Sequence, residues 1–286
     1  PLHVMLLREV AGPVVATSGN LSDQPTLYRD EDLTGELTQV CDAFLTHDRP
    51  IRRQADDSVL HVVRRPQPRP QMLRRARGYT PLPLLAPREL PCLLALGPQM
   101  NSVLAVSRGR EVILSQHLGE LESYESQQSY RRVLDDLLRL YQLKPARIVH
   151  DLHPGYFTTG LAEELAREWD LPTLAVQHHH AHLAACLLEN EVEEEVLGLC
   201  FDGTGYGPDG TIWGGEWLQG DASRFQRVAS LRPFRLPGGT ARQQHVADGE
   251  GAGVDERVAR HAVLALELDD GVEGRPRGLP PDTLEE

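Results

Sequence analysis

Thr173-Leu174-Ala175-Val176-Gln177-His178-His179-His180-Ala181-His182 runs from a short apolar stretch into the helical pattern Leu183-Ala184-Ala185-Cys186-Leu187-Leu188. The change of period reads as a strand feeding a helix whose first turns carry four histidines. Residues four apart share a helix face, so His178 and His182 can point at one ion. Two imidazoles at this spacing, joined by an acidic group from elsewhere, suit Zn2+ or Fe2+. The stretch is not the two-histidine protease motif, which needs glutamate where this chain has His179. The other reading is a histidine-rich helix start whose rings make ordinary hydrogen bonds.

Upstream, residues 92–96, 102–106 and 111–115 read as strands, separated by turns at 97–101 and at Arg108-Gly109-Arg110. Tyr130, Leu134, Leu137 or Leu138, and Tyr141 mark one face of a helix. Residues 147–151 form a strand, and Leu161, Leu165 and Trp169 mark the next helix. Downstream the opening pattern recurs. Residues 196–201 are a strand, Asp202-Gly203-Thr204-Gly205-Tyr206-Gly207 a glycine-rich turn, and 212–217 and 225–231 two more strands. The recurrence predicts two related lobes with a cleft between them. Glycines let a backbone approach a ligand, and their N–H groups can cradle phosphate, so Asp202, Gly203, Thr204 and Gly205 are candidates for nucleotide binding. Taken alone, such a stretch is an ordinary hairpin. Asp202 could also supply the oxygen ligand that His178 and His182 lack.

Residues 1–80 read as part of an α/β domain. Pro13-Val14-Val15-Ala16 is a strand candidate ending in Thr17-Ser18-Gly19-Asn20-Leu21-Ser22, Leu33, Leu37 and Val40 have helical spacing, and 58–63 is another strand. The turn Ser18-Gly19-Asn20 could hold an anion, although by itself it is a strand-ending turn. Arg52, Arg53, Arg74, Arg75 and Arg77 suggest either a basic patch for a phosphorylated small molecule or a solvated strand edge. Pro81, Pro83, Pro87 and Pro91 make 81–91 a linker, and 92–239 a second domain. No aromatic residue follows Phe234, and 240–286 is expected to be an acidic, disordered tail with at most a short helix over 258–266.

The totals exclude several classes. A net charge of −13 argues against a nucleic-acid partner. No apolar run reaches the roughly 18 residues of a membrane helix, so no membrane is expected. No signal peptide is visible. Cys41, Cys92, Cys186 and Cys200 are dispersed and read mostly as buried thiols in a reducing, cytoplasmic compartment. Lys144 is the only lysine, so cationic contacts to phosphate fall to arginine.

Several stretches together resemble one family: Val176-Gln177-His178-His179-His180-Ala181-His182, Phe201-Asp202-Gly203-Thr204-Gly205-Tyr206-Gly207, Ile212-Trp213-Gly214-Gly215-Glu216, Thr17-Ser18-Gly19-Asn20-Leu21-Ser22, Asp56-Asp57-Ser58-Val59 and Arg75-Ala76-Arg77-Gly78-Tyr79. They closely resemble the HypF carbamoyltransferases that mature [NiFe]-hydrogenases, from the first residues to about Gly239. The resemblance implies a partial YrdC-like α/β domain followed by a partial Kae1-like domain of the two-lobed actin/sugar-kinase, RNase H-like fold. It implies ATP with Mg2+, and carbamoyl phosphate activated as carbamoyl adenylate. It also implies transfer of the carbamoyl group to the C-terminal cysteine of a HypE-type partner. Ser18 and Asn20 match the family's nucleotide-site pair, and His178, His182 and Asp202 its catalytic metal ligands. The family's acylphosphatase domain, its C-x-x-C zinc fingers and the first part of its YrdC-like domain are not in this sequence. Nor is its second acidic metal ligand recognisable after Gly239. The chain is therefore read as a fragment, expected to bind metal and nucleotide weakly without completing the transfer. The alternatives are a non-catalytic nucleotide- or metal-binding fragment and an O-carbamoyltransferase of the same fold.

Overall fold

Two sheets share the labour of this structure, and the histidine helix passes between them. The computed structural model describes residues 2–17, 19–20, 26–33, 35, 37–64 and 67–232, and the backbone of 262–267. Its elements are α1 (Leu2–Val10), α2 (Asp30–Leu33), a 3-10 turn at Leu37–Gln39, β1 (Val59–Val63), β2 (Arg69–Arg74), β3 (Leu84–Leu90), β4 (Leu93–Ala95) and β5 (Ala105–Leu114). They continue with α3 (Tyr124–Tyr141), β6 (Arg147–Asp151), α4 (Phe157–Trp169), β7 (Thr173–Val176), α5 (His178–Glu189), β8 (Val196–Tyr206), β9 (Ile212–Gly220), β10 (Phe225–Ser230) and β11 (Ala262–Glu267).

The first sheet has the order β3-β5-β4-β6-β7. β5 pairs antiparallel with β3 and β4, whereas β4, β6 and β7 run parallel. β5 doubles back on itself. The N–H of Ser115 donates to the carbonyl of Leu104 at 2.8 Å, and Gly109 between them has φ +59°. That is the strand–turn–strand the sequence predicts around Arg108-Gly109-Arg110. Helices α3 and α4 cover this sheet through Tyr130, Val133, Leu134, Leu137, Leu161, Ala162 and Leu165, which join Leu94, Leu96, Val106 and Ile148 in one core. Each fully buried leucine or isoleucine stabilises it by roughly 1.5–3 kcal/mol. Ser123 caps α3 by accepting from the N–H of Ser126, and the Tyr130 hydroxyl, fully buried, donates to the carbonyl of Leu96.

The second sheet, β10-β9-β8-β11, is antiparallel throughout. Its core is Leu183 and Leu187 of α5 against Val196, Cys200, Trp213 and Leu218. Gly198 leaves the groove for Leu183, whose Cδ1 would lie 2.6 Å from a Cβ at that position.

Several sequence expectations are corrected. The proline-rich stretch 81–91 is not a free linker, because β3 lies within it and forms an edge of the first sheet. An edge strand tolerates Pro87, whose missing N–H needs no partner on the open side. The glycine-rich stretch after Phe201 is not a turn, since β8 runs on to Tyr206 with an irregular register between Phe201 and Gly205. The reversal comes later, where Gly207 N–H donates to Thr211 O at 2.8 Å and Gly210 takes φ +74°. Pro208-Asp209-Gly210 is the stronger turn signal. Residues 262–267 form a strand on β8 instead of the expected helix. Their apolar run suits either state, and pairing satisfies the edge of β8. The rest of the expected tail lies outside the described residues.

In the N-terminal part, β1 and β2 make a two-stranded ribbon. Pro13–Ala16 forms no strand among the described residues, and the helical spacing around Leu37 yields only α2 and the 3-10 turn. The helix α1 was not anticipated, and none of its residues is buried. Of the cysteines only Cys200 is buried, while Cys41 is exposed.

Replacing Tyr130 by Phe leaves the Leu96 carbonyl without its hydroxyl partner. A loss of about 1–3 kcal/mol in unfolding free energy is expected from chemical denaturation, with the same slope. An unchanged midpoint would show that water or another group serves that carbonyl.

Candidate metal centre

β6 and β7 are parallel neighbours, and their register sets Asp151 beside Val176, two residues before α5 begins. Gln177 caps that helix: its side-chain oxygen accepts from the N–H of His180 at 3.0 Å. Its amide nitrogen lies 3.1 Å from His179 Nδ1, and donation there makes that ring nitrogen an acceptor. The helix start thus fixes the direction of each ring, and its dipole favours carboxylates close by.

Two carboxylates face His178. Nδ1 lies 2.8 Å from Asp151 Oδ2, and Nε2 lies 2.9 Å from Asp202 Oδ2. His182 Nε2 stands 3.2 Å from His178 Nε2 and 3.6 Å from Asp202 Oδ2. The i,i+4 pair and Asp202 therefore converge as the sequence predicts, with their ligand atoms all within 4.8 Å of one another. A tetrahedral ion with bonds of about 2.0–2.1 Å holds its ligand atoms about 3.3 Å apart, which the three spacings bracket. Two imidazole nitrogens and a carboxylate oxygen are a fitting donor set for Zn2+ or Fe2+.

Electrostatics follow from this crowding. Burial disfavours the charged form of His178, but the hydrogen bonds to Asp151 and Asp202 outweigh it and push its pKa up to about 9. Burial would also raise Asp202, yet the hydrogen bonds from His178 and His182 hold its carboxyl well below the usual carboxylate range. His179 goes the other way. Burial lowers it to about 4 against the pull of Asp202. His179 is fully buried and acts as a neutral packing residue, 4.0 Å from Asp202, and His180 donates outward to the carbonyl of Asp221 at 2.9 Å.

Asp151 was read only as the end of a strand. Its position at the carboxyl end of a parallel strand, next to the one feeding α5, is the signal that could have found it. It orients His178 through Nδ1, the ring nitrogen opposite the one that faces Asp202 and His182, as carboxylates behind metal-bound histidines do.

The glycines of β8 have different tasks. A Cβ on Gly205 would lie 2.5 Å from His179 Cε1 and 2.7 Å from its Nδ1, so Gly205 is the groove that seats the histidine helix. Gly203 is exposed with open space beside it, and Thr204 is half-buried. Asp202 and Gly205 both face α5 although they are three apart, which the register irregularity between Phe201 and Gly205 allows. In the N-terminal part, Asn20 sits half-buried in a bend, and Ser18 lies outside the described residues.

Against known proteins, the family described as the HypF Kae1-like domain matches residues 88–189. The family described as the second subdomain of the carbamoyltransferase Kae1-like domain matches 198–257. The Sua5–YciO–YrdC family, described as telomere recombination, matches 1–76. Carbamoyltransferase HypF of Synechocystis is 44% identical over 83% of this chain and 30% of its own length, and HypF2 of Cupriavidus necator is 37% identical over 96% and 35%. The chain belongs to the HypF carbamoyltransferase family. It spans about a third of the length of these relatives. Two crystal structures, of full-length HypF in a phosphate- and nucleotide-bound form and of HypF from T. kodakarensis, match it at 36% identity and a TM-score of 0.74. They cover 79% and 80% of this chain, which corresponds to 35% and 30% of theirs. The chain thus joins a YrdC-like part to a Kae1-like part. The match of the second subdomain runs past Gly239, where the sequence had been read as leaving the family. Among the described residues no helix is long and apolar enough to cross a membrane.

Three outcomes are expected at this centre. Asp151→Asn keeps the shape but weakens the hold on His178, and divalent-ion affinity measured by chelator competition should fall roughly 10- to 100-fold. An unchanged affinity would separate Asp151 from the site. Gly205→Ala should cost about 1–3 kcal/mol of stability in thermal or chemical unfolding, since buried His179 must move. The same change at Gly203 should stay within about 0.5 kcal/mol.

Proposed function

We propose that this segment serves ATP-dependent carbamoyl transfer in [NiFe]-hydrogenase maturation. In this reading carbamoyl phosphate is activated with ATP and Mg2+ as carbamoyl adenylate, and the carbamoyl group passes to the C-terminal cysteine of a HypE-type partner. The observation that carries the reading is the convergence of His178, His182 and Asp202 within a HypF-family chain.

His178, His182 and Asp202 would hold Zn2+ or Fe2+, and a bound ion supplies a Lewis acid for a carbamoyl or phosphate oxygen. Asp151 keeps His178 in the orientation that presents Nε2 to the centre. The open space at Gly203, beside Asp202 and Thr204, is where the phosphate of the adenylate would lie, while Gly205 is taken up by packing on His179. Transfer forms a carbon–sulfur bond as the partner's thiol loses its proton, the bond from the carbamoyl carbon to the adenylate oxygen breaks and AMP leaves. The accepting sulfur is assigned to the partner by the family resemblance; Cys200, two residues before Asp202, is buried and directed at the carbonyl of His179. Ser18 and Asn20 are assigned by resemblance to the first nucleotide site, in the YrdC-like part.

The reading is tested in the HypF-family protein that carries this segment. A partner peptide ending in cysteine, incubated with ATP, carbamoyl phosphate and that protein, should gain the mass of one carbamoyl group. Asp202→Asn should reduce the gain by at least roughly 100-fold, the scale of losing positioned charge at a reacting centre. An undiminished gain would remove the centre from the transfer step.

A further inference from the structure

The arginines that the sequence grouped together separate in the structure. Arg77 turns to Asp57 and to the carbonyl of Ala55. Arg52 and Arg53 line a cleft of about 420 Å³ between the N-terminal part and α3. Five arginines, Arg29, Arg52, Arg53, Arg132 and Arg139, line it against two aspartates, Asp135 and Asp136. That concentration stands out in a chain whose net charge is −13.

The cleft is partly organised in advance. Asp136 accepts from Arg53 at 3.2 Å and also from Arg139, so one carboxylate holds two guanidiniums in place. The guanidiniums of Arg52 and Arg132 have no ion pair among the described residues. Ser129, Arg132, Asp136 and Arg139 follow helical three- and four-residue spacing, which aligns them along one face of α3. Arg132 and Arg139 are seven residues apart, about 10 Å along the helix axis. A single phosphate cannot reach both, whereas a chain of linked phosphates can. Guanidinium forks also bind phosphate oxygens in pairs.

We propose that this cleft binds a linear polyphosphate group, carried by a nucleoside triphosphate or by inorganic polyphosphate. The ligand would touch both the YrdC-like and the Kae1-like parts. Direct contacts already flank it, with Gln116 donating to the carbonyl of Gln54 and His117 lying 3.3 Å from Asp56. The inference does not depend on the histidine centre or on its role in carbamoyl transfer.

Calorimetric titration of the full 286-residue chain with tripolyphosphate, free of divalent ions, tests it. One saturable site is expected, weakening as salt is raised, with orthophosphate at least roughly tenfold weaker. The double variant Arg52→Ala/Arg132→Ala should lose roughly tenfold or more in affinity. Both side chains are exposed, and a retained melting transition confirms the fold. Asp135→Asn removes a like charge and should tighten binding a few-fold, a gain that misfolding cannot produce. ATP that competes with tripolyphosphate identifies the nucleotide as a source, and ATP that does not compete leaves inorganic polyphosphate. Equal affinity for orthophosphate, or an unchanged affinity in the double variant, overturns the proposal.

Discussion

The His178 ring joins the two halves of the Kae1-like part by one shared charge. Asp151 belongs to the first sheet and Asp202 to the second, and His178 lies within 2.9 Å of both. Bringing two carboxylates together out of water is unfavourable unless a cation stands between them. A protonated imidazole can do this, and so can a metal ion flanked by neutral rings. The rest of the local architecture follows from keeping that cation in place. The Gln177 cap fixes the helix start, Gly205 and Gly198 let α5 lie close to β8, and the neutral ring of His179 fills the space beneath.

A second layer supports the strand that carries Asp202. Glu216 is buried, accepts from the N–H of Gly214 at 2.9 Å and pairs with Arg227 at 2.5 Å. Arg227 in turn lies 4.3 Å over the ring of Trp213, whose N–H donates to Asp209 at 3.1 Å. A buried carboxylate satisfied on both oxygens is costly to disturb. Trp213-Gly214-Gly215-Glu216 thus works as a unit: Glu216 ties β9 to β10 through Arg227, while Trp213 closes the core under the histidines.

Much of the centre was legible because it is local. The i,i+4 spacing of His178 and His182 follows from helix geometry alone, and Asp202 was placed by the strand that ends its apolar run. Asp151 was only half legible: the sequence places it at the carboxyl end of a strand, but its partnership with His178 depends on which strands are neighbours and in what register, and no local pattern encodes that. The glycines of 202–207 misled for a related reason. Glycine serves turns and close approaches alike, and only the position of α5 reveals that Gly205 is the second kind. The helices α3, α4 and α5 were readable from the period of their apolar residues. The N-terminal part was not, since its ribbon and short turns carry little periodic signal, and Pro13–Ala16 finds no strand partner among the described residues.

The seven residues of β3 give the proline-rich stretch a role that a tether would not have. An edge strand cannot be lengthened, shortened or swapped without disturbing the hairpin of β5 beside it. For a lineage that shuffles modules, the usable joint therefore lies upstream of Leu84, around Gly78 to Pro83. A cut within Leu84–Leu90 would deliver a Kae1-like part with its sheet left open at β5, so that strand has to travel with the Kae1-like part.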